Sequence, residues 1–333
     1  MSIQTDEQVQ GRLAARLSQS AGADVTIEGV KALSGGANSM SYLIDAEKDG
    51  QSWQLVLQQS QAQMPGRMSR AVQAEVQTRA EKGGVPVPHI VYVLTAEDDL
   101  GEGFVMEFVA GETLAPRYLR KEEFSAARKA MVGQTAEALA RIHSLPVEDF
   151  RKLGLTSMSA RESLLRLRDS YDAMGGGVPV FELAFARLEK RLPDDGPEVL
   201  VHGDYRSGNF IVGEEGLRSV LDWEGASLGH PLNDIGWLCT NTWRFGNWQK
   251  PVGGFGEREE FYRAYEAAGG PAVDRDLALV FEMYGSLRWG IVCWQMAEQH
   301  LAGEAVSVER AAIGRRVSEN EADLIYMLQK GAL

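Results

Sequence analysis

Apolar positions recur every three or four residues near the start of the chain (Val9, Leu13, Ala14, Leu17), and the run stops at Ala21-Gly22. This spacing predicts an opening helix over residues 7–20 with one buried face. The period then changes to that of strands. Residues 25–30, 41–45 and 53–57 are short, rich in β-branched and aromatic side chains and separated by glycine or charged turns, as in an antiparallel meander. A helical pattern over about 67–81 ends at Gly83-Gly84, the rigid Val85-Pro86-Val87-Pro88 follows, and residues 90–94 and 104–109 add two strands around Glu97-Asp98-Asp99. From Lys121 onward helical patterns dominate, notably over 124–143, 160–173, 182–191, 257–268 and 276–299. Among them lies a short block, 199–222, with a predicted hairpin of 210–212 and 219–221 about Gly213-Glu214-Glu215-Gly216. The pattern predicts an α+β chain in two lobes. An antiparallel five-stranded sheet with a helix occupies residues 1–109, and a larger, mainly helical lobe occupies 110–333, with Ala110-Gly111 as the hinge.

Composition narrows the partners more than the fold. With 333 residues, 44% hydrophobic and 24% charged, the chain can bury a large core and has the balance of an ordinary globular protein. Nothing in it forces oligomerisation, so monomer and homodimer are both compatible. The net charge of -13 argues against nucleic acid or an anionic membrane as partner, because both are bound by Lys and Arg clusters that are missing here. Cys239 and Cys293 lie in apolar surroundings without a Cys-x-x-Cys pattern, so buried free thiols are expected rather than a zinc site. The first residues, Met1-Ser2-Ile3-Gln4-Thr5-Asp6-Glu7, have no basic start or apolar run, and no stretch has the ~18 apolar residues of a membrane span, so a cytoplasmic, reducing location is expected.

The chemistry concentrates in His202-Gly203-Asp204-Tyr205-Arg206-Ser207-Gly208-Asn209, followed by Leu221-Asp222-Trp223. A single Asp is ordinarily a solvated acid. Two carboxylates and a carboxamide in this order, with short strands between them, are what phosphoryl transfer needs. Asp204 is the candidate base for a hydroxyl proton, and Asn209 and Asp222 are candidate hard-oxygen ligands for Mg²⁺. Arg206 is either a cation for the transferring phosphoryl group or a surface salt-bridge partner, while His202 and Gly203 read as scaffold.

From Leu200 to Leu238 the run Leu-Val-His-Gly-Asp-Tyr-Arg-Ser-Gly-Asn-Phe-Ile-Val, then Val-Leu-Asp-Trp-Glu-Gly-Ala and Gly-His-Pro-Leu-Asn-Asp-Ile-Gly-Trp-Leu, resembles the aminoglycoside phosphotransferase (APH) family, which has a protein-kinase-like fold. Within that family it is similar to the phosphotransferase domains related to those fused to acyl-CoA dehydrogenases, whose tails resemble Glu309-Arg310-Ala311-Ala312-Ile313-Gly314-Arg315-Arg316 and Glu319-Asn320-Glu321. The resemblance covers roughly residues 28–330 and implies a kinase of small molecules that uses ATP or GTP with Mg²⁺ on a hydroxylated acceptor. It places Arg206 where protein kinases carry a catalytic-loop Lys. It makes Ser34, Gly35, Gly36 and Ser39 the nucleotide loop, and gives the backbone of Glu107 and Val109 to adenine. Asp234 resembles the residue that anchors the catalytic loop, though a helix N-cap is an equal reading, and Glu224 is either a further metal ligand or a solvated acid.

One departure concerns the third strand. Kinases place a Lys there against the α- and β-phosphates, and relatives of this group often show Arg, but this chain has Gln58 and Gln59. Glu75, the helix acid that would partner such a cation, is present and free to pair with Arg70, Arg79 or another arginine. Trp223, Trp237, Trp243, Phe245, Trp248, Tyr284, Trp289 and Trp294 form an aromatic-rich region in the second lobe, read as core or as an apolar acceptor pocket, with 241–255 as a substrate-facing loop. An antibiotic kinase and a catalytically silent nucleotide-binding relative are the alternatives. Protein-kinase activity is not expected, because the chain lacks an Ala-Pro-Glu-type segment after Asp222.

Overall fold

The computed structural model of the chain describes residues 3–4, 6–33, 39–60 and 68–329. They cluster into two units, Met1–Gly111 with Arg218–Ala226, and Glu112–Leu217 with Ser227–Leu333.

The first unit opens with α1 (Glu7–Ala21). The Asp6 carboxylate caps it by accepting from the N–H groups of Gln8 and Val9, and Gly22 ends it in the left-handed conformation at φ 61°. Strands β1 (Val25–Ala32), β2 (Ser39–Lys48) and β3 (Gln51–Ser60) follow as a meander. The two-residue turn joining β2 to β3, Asp49-Gly50, has φ of 48° and 78°, the paired positive values that match the twist of a hairpin. After α2 (Arg70–Lys82) come β4 (Ile90–Val93) and β5 (Gly103–Glu107), and the sheet has the order β1-β2-β3-β5-β4. Every neighbouring pair is antiparallel.

Val9, Leu13 and Leu17 of α1 share a core with Ile44, Leu55, Leu57 and Val105, so α1 covers one face of the sheet. Met106 alternates to the other face, where Gln77 of α2 reaches within 4.0 Å of its sulfur. Gly103 is required where β5 meets β3, because a Cβ there would lie 2.6 Å from the Gln58 carbonyl oxygen.

The second unit contains α3 (Ala115–Arg120), α4 (Ser125–His143), α5 (Val147–Arg151), α6 (Ala160–Ala173) and α7 (Pro179–Arg191). Then come β6 (Val199–Val201), β7 (Phe210–Gly213) and β8 (Gly216–Val220), with β7 and β8 forming the expected hairpin, although the chain from Arg218 to Ala226 clusters with the first unit. β9 (Ser227–Gly229) pairs antiparallel with β6, and α8 (Leu232–Cys239), α9 (Arg258–Ala267), α10 (Arg275–Leu301), α11 (Val308–Gly314) and α12 (Val317–Gln329) complete the chain.

Two glycines let α8 and α10 touch backbone to backbone. A Cβ on Gly236 would lie 2.5 Å from the carbonyl carbon of Phe281, and one on Gly285 would lie 2.4 Å from Thr240 Oγ1. Cys239 and Cys293 are both free and buried. Among the described residues no helix is long and apolar enough to cross a membrane.

Candidate catalytic site

The loop between β6 and β7 carries Asp204, and a fully buried carboxylate on α8 fixes its entry. Asp234 Oδ2 accepts the N–H of His202 at 2.7 Å and Oδ1 accepts that of Gly203 at 2.9 Å. Of the two readings the sequence allowed for Asp234, the geometry is that of the loop anchor. From α4, His143 Nε2 lies 3.1 Å from the same Oδ2, and its Nδ1 lies 2.6 Å from the Tyr265 hydroxyl. Beyond the anchor, His202 Nδ1 accepts the Asp204 N–H at 3.2 Å. The loop is also tied down further on, where the Ser207 hydroxyl donates to the Gly253 carbonyl at 2.6 Å and the Tyr118 hydroxyl accepts from the Gly208 N–H at 3.0 Å. Gly208, at φ 103°, admits no side chain: a Cβ would meet the Arg206 guanidinium at 2.8 Å.

Three side chains converge on Asp204. Arg206 Nε and the Trp237 indole N–H donate to Oδ1 at 2.8 and 2.7 Å, and the Asn209 amide donates to Oδ2 at 2.6 Å and to the Asp204 carbonyl at 3.0 Å. Burial pushes the carboxyl pKa upward, but the charge and hydrogen bond of Arg206, with the Trp237 N–H, outweigh it and hold the group below its ordinary range. Asp204 is therefore a fixed anion at neutral pH. The Asn209 nitrogen is committed to it, which leaves the carboxamide oxygen for another partner.

Arg206 is more than a surface salt bridge, since its guanidinium carbon sits 4.1 Å above the Trp243 ring. Trp243 packs on Trp237 with ring centroids 5.1 Å apart and on Trp289 at 4.7 Å. Of the aromatic residues singled out in the sequence, these three gather beside Asp204, whereas Trp223 belongs to the first unit and Trp294 packs on Tyr171. Arg288 of α10, which the sequence reading missed, lies 4.5 Å above Trp237 and points its guanidinium at the Gly203 carbonyl. The indole nitrogens of Trp243 and Trp289 and the Ser286 Oγ are buried and have no hydrogen-bond partner among the described residues. Along α10, Leu279, Glu282, Ser286 and Trp289 fall on one stripe, and the first three line a cavity of 440 Å³ with Asn241, Arg244, Arg258, Asp323 and Tyr326. Two arginines in its wall share one acid, with Arg244 and Arg258 each 2.7 Å from a Glu282 oxygen, so this cluster keeps a positive charge.

The remaining candidates lie in the first unit. Asp222 is at φ 67° and ψ 68°, a left-handed conformation rare for any residue with a side chain. The Glu107 N–H is committed to the His89 carbonyl at 2.8 Å. For Val109 no hydrogen bond of its N–H is recorded among the described residues. Glu75 is spent on Arg79 at 2.7 Å, one helical turn on, so no pairing with the strand at Gln58 is formed. Ser34, Gly35 and Gly36 lie outside the described residues, and of Ser39 the backbone is described, paired with Ser60 across β2 and β3. Among the described residues no three His, Cys, Asp or Glu side chains converge as a metal group.

A five-stranded antiparallel sheet followed by a helical unit with an Asp–Asn loop on its first short strand pair is the layout of kinase-like phosphotransferases. Residues 29–275 match the model of the phosphotransferase enzyme family, APH, and the chain belongs to that family. Among solved structures it is similar to a Ralstonia eutropha protein described as an aminoglycoside phosphotransferase, with a TM-score of 0.70, 20% identity and 98% of each chain covered. It is also similar to spectinomycin phosphotransferase in complex with ADP and spectinomycin, with a TM-score of 0.67, 15% identity, and 97% of this chain and 98% of that one covered. At those identities the likeness is one of fold. In sequence it is 31% identical over 212 residues to acyl-CoA dehydrogenase family member 11 of Gallus gallus, covering 61% of this chain. The matched stretch is 26% of that relative's length.

Proposed function

We propose that this protein transfers the terminal phosphoryl group of ATP or GTP to a hydroxyl of a small molecule. The observation that carries the reading is Asp204, a carboxylate kept ionised and aimed by Arg206, Trp237 and Asn209 on a loop pinned by Asp234. In that cradle Asp204 accepts a hydrogen bond from the acceptor hydroxyl and orients its oxygen. An acid this strong is a weak base toward a free alcohol, so it receives the proton late, once bond formation to phosphorus has made the hydroxyl acidic. Arg206, stiffened by Trp243, offsets charge on the transferring group. The free carboxamide oxygen of Asn209 and the carboxylate of Asp222 suit Mg²⁺, which prefers hard oxygens, and the ion would supply charge neutralisation of the phosphates. Residues 1–109 form the nucleotide-binding lobe. There the Glu107 carbonyl and Val109 N–H serve the base, and Ser34, Gly35, Gly36 and Ser39 cover the phosphates. Residues 110–333 form the catalytic and acceptor-binding lobe. The wall of the 440 Å³ cavity, where Arg244 and Arg258 share the single acid Glu282 beside apolar side chains, favours a largely apolar alcohol over a polycationic antibiotic.

The test is Asp204→Asn, assayed for phosphoryl transfer and, by titration calorimetry, for binding of a non-hydrolysable ATP analogue. Transfer should drop by about 10²–10⁴-fold with nucleotide binding retained; turnover at the wild-type rate would remove Asp204 from the role of base.

A further inference from the structure

Kinase-like sites neutralise the nucleotide phosphates with a cation on the third strand, and here that position is Gln58. A cation nevertheless reaches the same strand. Arg70, the first residue of α2, donates from Nε to Ser60 Oγ at 3.0 Å. Ser60 is two residues beyond Gln58 on β3, so the two side chains share a face of the strand. A second guanidinium nitrogen of Arg70 donates to Gln73 Oε1, and Nη2 lies 3.7 Å from Glu224 Oε2. Glu224 follows Asp222 by two residues, in the short helical turn Trp223–Gly225.

The energetics of this arginine are unfavourable for a purely structural residue. It is 4% exposed. It occupies the N-terminal end of a helix, whose dipole disfavours a cation, and the first turn contains no acid to offset it. Among the described residues its carboxylate partner is Glu224, at a separation beyond a hydrogen bond and with 36% of that side chain exposed. The nearest acid on its own helix, Glu75, is occupied by Arg79. A buried guanidinium with so little compensation costs stability unless an anion completes its surroundings.

We propose that Arg70 is the relocated cation of the nucleotide site: a positioning residue that supplies, from the start of α2, the positive charge missing at Gln58, and that holds Glu224 and the turn after Asp222 for metal-bound phosphates. The proposal rests on the nucleotide-binding reading above. It also explains how a chain with glutamine on β3 retains Asp204, Asn209 and Asp222. The ligand class it assigns to this face is a polyphosphate carried with a divalent cation.

Calorimetric titration with a non-hydrolysable ATP analogue, with and without Mg²⁺, tests it in the full chain alongside a thermal melt of each variant. Arg70→Gln should weaken Mg²⁺-dependent binding by about tenfold or more, and adding Gln58→Lys to that variant should restore most of the loss, because the charge returns to the same face. Binding by Arg70→Gln at wild-type strength overturns the proposal, as does a folded Arg70→Gln whose loss Gln58→Lys leaves unrepaired, which is the behaviour of a merely structural arginine. Gln58→Lys alone removes no buried group and gives an independent reading. If Arg70 already supplies the charge, this variant gains little, whereas a tightening of about tenfold means the site lacked a cation and Arg70 does not serve it. Failure of the wild-type protein to bind either ATP or GTP analogues strikes the nucleotide reading itself and is distinct from every one of these outcomes.

Discussion

The acidity of Asp204 is set by its neighbours, so its titration can be moved by changing one of them. Its folded pKa lies below the ordinary carboxylate value, with Arg206 the strongest lowering influence and burial opposing it. The ionised form thus persists as pH falls through the usual carboxylate range, and if Asp204 is the base as proposed, phosphoryl transfer should be lost only below it. In Arg206→Gln the strongest lowering influence is gone while burial still acts, and the acid limb of the kcat/KM profile should move to higher pH, apart from any drop in the plateau. An unmoved limb in that profile would show that Arg206 does not govern this carboxylate. Asp204, Asn209 and Asp222 could be singled out as candidates in the sequence because one short run holds all three in the order phosphoryl transfer requires. The Trp237 N–H, Arg288 and the pairing of Arg70 with Glu224 could not, because each contact joins segments distant in sequence and depends on which way a side chain turns after packing. Asp234 could be named but not assigned, since loop anchor and helix cap call for the same residue type.

The glycine-lined crossing of α8 and α10 holds the anchor Asp234 and the indole of Trp237 on one short helix. Gly236→Ala places a methyl group 2.5 Å from the backbone of Phe281, so the helices must part. We expect a loss of about 1–3 kcal/mol from the overpacking, read as a lower denaturation midpoint in urea, with phosphoryl transfer reduced through displacement of Trp237. An unchanged midpoint would mean the two helices part freely. The helix α1, with Val9, Leu13 and Leu17 buried on one face, follows its periodicity, and the strands and other long helices lie within a few residues of the bounds that composition and turn signals set. Helix α8 escapes that logic. Leu232 and every residue from Asp234 to Cys239 are buried, so no polar face gives it a period. The five and six residues of α5 and α3 are too few to show one, and β9 is a three-residue strand known by its partner β6 alone.

Acid should destabilise the folded chain before its carboxylates titrate. His230 stacks on Phe281 with centroids 4.8 Å apart and accepts the Leu232 N–H on Nδ1 at 3.2 Å, an arrangement that needs the neutral ring. Burial, helped by His143, lowers its pKa to about 4. The unfolded chain binds this proton near pH 6.5 and the folded chain does not, so the stabilisation is complete above that value and is lost progressively as pH falls toward 4. Tm should therefore decline across that interval, and His230→Gln should flatten the decline; equal slopes for the two proteins would exclude His230 as the cause. The tryptophans beside Asp204 have another use. Trp237 bonds directly to the Asp204 carboxylate, and Trp243 carries the Arg206 guanidinium on its face. Indole emission responds to local charge and polarity, so the unlabelled protein carries its own optical gauge of that site. Any molecule that displaces Arg206 or engages Asp204 changes the emission spectrum, and acceptors can be sought by titration in a cuvette without knowing the product.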